Sequence, residues 1–221
     1  LAPEACRPGV PNRDRVRVVY VPAPGFAGLD SFAYRASDGT HTSALATVTV
    51  DVQDDDSPTT FLALADSKVS SASPARNYGT ETTLRLRASG PEWRTYVKFQ
   101  LGELGSPVVS AHLRLFATDG SDQVGRVHAV ANAWTETALN WNNAPALGGS
   151  PLATSGAAAN GVWVEFDVTG SVTGRGTFSF ALTSPSTDST YFSSREGPHP
   201  PELVVHTRGH VRPAVFLGSR P

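Results

Sequence analysis

Four carboxylates, Glu136, Asp167, Asp188 and Glu196, are of the type that works in pairs as general acid and base on glycosidic bonds. Distance along the chain gives no spacing between them, and Asp167, just before Val168-Thr169, reads as the cap of a turn. The stretch AVANAWTETALNWNNAPALGG, residues 129–149, holds Trp134 and Trp141 with Glu136 between them. Two chemistries fit it. The indole rings could form a platform for sugar stacking, or close the core end of a sandwich with their N–H groups bonded. Asn142, Asn143 and Pro145 suit a turn, so the stretch reads as a structural loop capping a sandwich, with stacking as the alternative. Cys6 is the sole cysteine and cannot form an internal disulfide; it reads as an inert thiol. The six histidines show no metal-ligand spacing. There is no G-x-S-x-G, no phosphate loop and no Cys/His pair.

The elements that must position these residues are strands. RVRVVYVPA alternates Val16, Val18 and Tyr20 against Arg15, Arg17 and Val19, and ALATVTVDVQ sets Val48, Val50 and Val52 against Thr47, Thr49 and Asp51. Period two over short runs is the strand signature, and Asp38-Gly39 is a tight-turn signal. From residue 61 onward nine runs follow the same rule: FLALAD, TLRLRAS, RTYVKFQL, SAHLRLFAT, GRVHAVA, GVWVEFDV, GTFSFALTS, TYFSSR and ELVVHTR. Turns rich in Gly, Pro, Asn and Asp separate them, and no run keeps a helical period. With 20 Gly and 17 Pro in 221 residues, the expected class is all-β: a β-sandwich of jelly-roll type preceded by a partial Ig/cadherin-like β-module. QDDDSPTT, residues 53–60, reads as a linker whose Asp run is either solvated or a calcium site. The tail GHVRPAVFLGSRP reads as a disordered end or linker. The expected division is 1–53, linker 54–60, module 61–208 and tail 209–221.

Alternation also sorts the charges. If Leu84 and Leu86 point inward, Arg85 and Arg87 point out. If Val97, Phe99 and Leu101 point inward, Tyr96 and Lys98 point out. Leu113 and Leu115 send His112 and Arg114 outward; Val127 and Ala129 send Arg126 and His128 outward. If these strands share a sheet, Arg85, Arg87, Tyr96, Lys98, His112, Arg114, Arg126 and His128 form one cationic, aromatic face. Residues 61–208 carry two Lys and nine Arg against five Asp and seven Glu, so the positive charge is segregated rather than general. Such a face suits a polyanionic sugar chain, because Arg pairs bidentately with carboxylates. The plain alternative is a solvated face whose charges pair with Glu92, Glu103 or Glu165. The net charge of −2 argues against a general nucleic-acid binder, and no apolar run is long enough to cross a membrane.

Two resemblances follow from the motifs. VVYVPAPGFAGLDSFAYRASDGTHTSALATVTVDV resembles the C-terminal part of bacterial cadherin-like or Ig-like repeats, through Tyr20, Pro22, Gly25, Phe26, Gly28, Asp30, Ser31, Phe32, Tyr34, Asp38 and Gly39. LADSKVSSASPARNYGTETTLRLRA, RTYVKFQLGEL, AWTETALNWNNAPALG and GTFSFALTSPSTDSTYFSSREGPHPPELVV resemble, in order, the DNRLRE domain, also classed as carbohydrate-binding module family ninety-six. The resemblance implies a noncatalytic, extracellular or cell-surface polysaccharide binder, some lyase-linked members taking alginate. It implies no cofactor beyond a structural calcium, which jelly-roll analogy places at Asp66. The other expectation is a structural or adhesive stalk segment. The chain contains no Met and begins without one, so it is read as a processed or cut fragment.

Overall fold

The computed structural model describes residues 17–20, 26, 28–37, 39–52, 58–104, 107–208 and 214–217; for 17–19 and 214–217 the backbone alone is described. Cys6, Asp38 and the linker carboxylates Asp54, Asp55 and Asp56 lie outside the described residues. The chain divides into two compact units, one of residues 57–207 and one of residues 1–56 with 208–221. Among the described residues no helix is long and apolar enough to cross a membrane.

In the first unit, β1 (Arg17–Tyr20) is followed by a hairpin of β2 (Gly28–Tyr34) and β3 (Ala46–Val52). Val50 and Val52 are buried while Thr47, Thr49 and Asp51 are exposed, as the alternation requires. The residues that carry the Ig-like resemblance meet here. The Tyr20 hydroxyl donates to Asp30 Oδ2, and the Tyr20 and Phe32 rings stack with centroids 6.3 Å apart.

The second unit is a β-sandwich. Its strands are β4 (Thr59–Leu62), β5 (Ala65–Ser70), β6 (Thr83–Leu86), β7 (Trp93–Leu101), β8 (Val108–Asp119), β9 (Gly125–Val130), β10 (Ala153–Ser155), β11 (Val162–Asp167), β12 (Gly176–Thr183), β13 (Thr190–Ser193) and β14 (Glu202–Thr207). One sheet has the order β10-β9-β12-β7-β5. The other has the order β4-β14-β8-β13-β6, with β11 on the opposite edge of β8. Leu84, Leu86, Leu113, Leu115, Phe166, Phe192 and Leu203 of the six-stranded sheet pack against Val97, Phe99, Leu101, Val127, Phe180 and Leu182 of the five-stranded one. Burying each such side chain contributes about 1.5–3 kcal/mol. The single run FLALAD splits into β4 and β5, which belong to different sheets. β10, three residues long, shows no alternation long enough to read.

The outer face of the five-stranded sheet is covered. Residues 131–149 fold back over it, and Trp134 and Leu139 bury against Ala65, Val69, Tyr96 and Ala181, with Trp141, Ala144 and Leu147 alongside. The loop is structural, as expected, but it covers a sheet face instead of closing the sandwich end. One further strand lies in the stretch read as a tail: β15 (Ala214–Leu217) pairs antiparallel with β1, Ala214 opposite Tyr20. Four residues set among Gly, Pro and Arg carry too short a pattern to read as a strand, yet the ladder gives the backbone groups of β1 partners.

Candidate functional site

The outer face of the six-stranded sheet carries rings and cations from edge to edge. At the β6 edge, Arg85 stands opposite Tyr191 of β13. Its Cζ lies 5.1 Å from the Tyr191 ring centroid and 4.9 Å from that of Trp93, within cation–π range. Arg85 Nη2 and Nε donate to Ser189 Oγ at 2.8 and 3.2 Å. Arg87 bridges to Trp93 across the β6–β7 hairpin. Trp93 meets Tyr78 edge-on at 5.2 Å, and Arg76 Cζ sits 4.6 Å from the Tyr78 ring. Lys68 Nζ lies 5.9 and 6.0 Å from the Tyr78 and Trp93 rings, pairs with Glu81 at 2.8 Å and donates to Thr83 O at 2.8 Å.

At the β11 end of the same face, Phe116 stands opposite Trp163, with ring centroids 5.5 Å apart, and His199 packs on Phe116 at 4.0 Å. Arg114 Cζ lies 4.8 Å from the Trp163 ring. Glu202 Oε2 accepts from Arg114 Nη1 at 3.1 Å. Glu165 Oε1 is 2.9 Å from Arg114 Nε, close enough for an ion pair but not aligned as a hydrogen bond. His112 lies two residues away on β8, opposite Asp167.

The eight candidate ligand residues therefore do not form one face. Arg85, His112 and Arg114 share the outer face of the six-stranded sheet, and Arg87 continues that strand into the hairpin. Tyr96, Lys98, Arg126 and His128 belong to the five-stranded sheet. Alternation places Tyr96 and Lys98 outward correctly, but outward there means beneath the 131–149 loop. Tyr96 is fully buried and its hydroxyl donates to Pro145 O at 3.1 Å. Lys98 Nζ donates to Trp134 O and lies 4.4 Å from the Trp134 ring; burial pulls its pKa down. His128 Nδ1 is 3.3 Å from Gly148 O. Arg126 is exposed at the β10 side, opposite Thr154 and Thr183. Register is set within a strand, whereas sheet membership depends on pairings that alternation does not encode. The Trp134 ring is also closed to stacking: Nε1 donates to Ser179 Oγ at 3.2 Å and only 7% of the residue is exposed. Arg94 Cζ sits 4.5 Å from the Trp141 ring.

Trp93, Tyr191, Phe116, Trp163 and His199 were not among the candidates. A signal for three of them was present: with Leu115 and Val164 inward, Phe116 and Trp163 must fall outward, and Phe192 inward sends Tyr191 outward. All three rings are half-buried on that face.

Residues 57–207 match the family described as carbohydrate-binding module family 96. The chain belongs to that family. Residues 9–53 match a bacterial Ig domain. Curated proteins yield no match to the chain.

In the family 96 module the carboxylates gather at the seam between β5 and the 193–197 turn. Oxygens of Asp66, Glu136 and Glu196 lie within 4.8 Å of one another. Asp167 and Asp188 are elsewhere; Asp167 caps its turn by accepting from Thr169 N at 2.9 Å. Glu136 Oε1 accepts from Asp66 N at 2.9 Å and Asp66 Oδ2 from Arg195 N at 2.8 Å. Arg195 Nη1 is 2.7 Å from Glu136 Oε2 and 3.4 Å from Glu196 Oε1. The Ser194 hydroxyl is 3.1 Å from Glu196 Oε2. Burial pushes Asp66 up to about 7, and the charges of Glu196 and Glu136 push the same way. The cluster clasps three segments of chain together.

Proposed function

We propose that the family 96 module binds an acidic polysaccharide such as alginate on the outer face of its six-stranded sheet, without catalysis and outside the cell or at its surface. One observation carries this reading. The Arg85 guanidinium lies against the Trp93 and Tyr191 rings, and a hydroxyl is its hydrogen-bond partner among the described residues. A ring face beside a guanidinium without a carboxylate partner suits a sugar ring that bears an anion. The seam supports a noncatalytic role, since its three carboxylates are engaged by backbone N–H groups, Arg195 and Ser194. The test is affinity electrophoresis of the whole chain in gels holding alginate, pectin, a soluble cellulose ether or no polymer, at low and high salt. Retardation by the acidic polymers alone, weakened by salt, is expected; no retardation by any polymer overturns the reading.

A second reading, a stalk segment, draws on Arg114, clamped by Glu165 and Glu202, and on the Arg94–Glu92 pair at 2.6 Å. A face whose charges are met internally has less to offer a polyanion. It would show up as retardation in no gel by a chain shown to be folded. We also propose that calcium can occupy the seam. Asp66, Glu136 and Glu196 are hard oxygen donors, but the ion must compete with Arg195. Millimolar calcium then raises Tm near pH 8, where Asp66 is ionised, and not near pH 5, and Asp66→Asn removes the effect. No shift at either pH leaves Arg195 as the counter-charge of the seam.

A further inference from the structure

The hairpin between β6 and β7 holds two buried N–H donors with no acceptor. Arg87 Nε and Trp93 Nε1 are both buried, and neither has a hydrogen-bond partner among the described residues. They belong to the two residues of one bridge. Arg87 N donates to Trp93 O at 3.2 Å and Trp93 N donates to Arg87 O at 3.0 Å. Residues directly opposite in an antiparallel pair project from the same face, so both side chains leave the ladder together. Gly90 makes the turn between them, with φ +97°, and a Cβ there would lie 3.1 Å from Arg87 Nη2 and 3.2 Å from its Cζ. The guanidinium therefore rests across the turn, in space that glycine keeps open. Arg85, two residues back on the same strand, brings a second guanidinium to the Trp93 ring. No carboxylate forms an ion pair with Arg85 or Arg87 among the described residues. A buried donor left unsatisfied is costly, and native proteins carry few of them. Two on one bridge, beside two arginines without a carboxylate partner, form a set of donors waiting for an oxyanion.

We propose that this hairpin is an oxyanion subsite for a sugar substituent, a uronic acid carboxylate or a sulfate ester. The substituent accepts from the Arg85 guanidinium while the sugar ring lies against Tyr191, and it reaches Arg87 Nε and Trp93 Nε1, both shielded from solvent here, as the Arg87 side chain swings off the Gly90 turn. The subsite rests on the proposed carbohydrate-binding face and names the part of it that reads charge. Carboxylate and sulfate share the same chemistry here, and the ligand arms of the test separate them.

The test is titration calorimetry of the whole chain with an oligouronate, a sulfated galactan oligosaccharide and a neutral cello-oligosaccharide. Trp93→Phe keeps an aromatic ring and removes the N–H together with part of the indole's area; Arg87→Met keeps the stem and removes the donors. Each variant is expected to weaken the acidic ligand by about tenfold and to leave any neutral binding unchanged. Tm, read beside the calorimetry, shows that each variant is folded, and the neutral ligand shows that the wider face is intact. The acidic ligand that loses more identifies the substituent. If Tyr191→Ala weakens binding while Trp93→Phe and Arg87→Met do not, the subsite is overturned and the wider face stands. If the unaltered chain binds neither acidic ligand, the face reading and the subsite fall together.

Discussion

Replacing Asp66 by Asn should change how the module's stability depends on pH. Asp66 points inward from the edge strand β5, is 1% exposed, and has its carboxyl pushed from an ordinary 3.8 up to about 7, mainly by burial. Between these values the folded chain holds a proton that the unfolded chain releases. Stability from this group is therefore greatest at low pH, declines as pH rises through the window, and is flat above it. The full window corresponds to about 4 kcal/mol, and the span from about pH 5 to about pH 8 to about 3 kcal/mol. Asn keeps an oxygen to accept from Arg195 N and does not titrate. Urea unfolding followed by tryptophan fluorescence, run on both proteins across that span, reads the difference and cancels the groups that are not coupled to Asp66. The variant's advantage over the native chain should grow by about 3 kcal/mol between about pH 5 and about pH 8. A difference that stays constant with pH would refute the assignment of a raised Asp66, and with it the account of the seam as a desolvated clasp.

Three further outcomes follow from the packing. Trp134→Ala removes the ring that covers Tyr96 and Lys98; it should cost about 3–5 kcal/mol and open the five-stranded sheet to hydrogen exchange while the six-stranded sheet stays protected. Gly120→Ala would set a Cβ 2.0 Å from Ala158 O, so a loss of at least about 1–3 kcal/mol is expected in thermal unfolding. Glu165→Gln releases one partner of Arg114; because exposed pairs contribute only about 0–1 kcal/mol, stability should hold while retardation by acidic polymers increases.

The strands were readable in the sequence because one face of each is apolar. β6 and β8 show it most plainly, with Leu84, Leu86, Leu113 and Leu115 inward and Arg85, His112 and Arg114 outward. The covered face was harder to see, although GTFSFALTS held a sign of it. Phe178, Phe180 and Leu182 face the core, and Ser179 and Ala181 between them are small, as residues buried on both sides must be. Lys98 misled because a lysine at an outward position reads as solvated, and nothing local announces that a loop thirty-odd residues on will bury it. Half of the candidate face failed for a related reason. Neighbouring runs such as TLRLRAS and RTYVKFQL look alike, and their assignment to opposite sheets follows from long-range pairing. The seam was invisible for the same reason: Asp66, Glu136 and Glu196 are far apart in the chain and meet only when the 131–149 loop folds over β5.

The central claim is that sugar lies on the outer face of the six-stranded sheet and not on the tryptophan-rich loop. The chain has four tryptophans, Trp93, Trp134, Trp141 and Trp163, and their indole N–H signals in a proton–nitrogen correlation spectrum report both places at once. On titration with an oligouronate, the signals of Trp93 and Trp163 should move, that of Trp93 most, while that of Trp134 stays still. Movement confined to Trp134 and Trp141 would contradict the account and place the ligand on the loop.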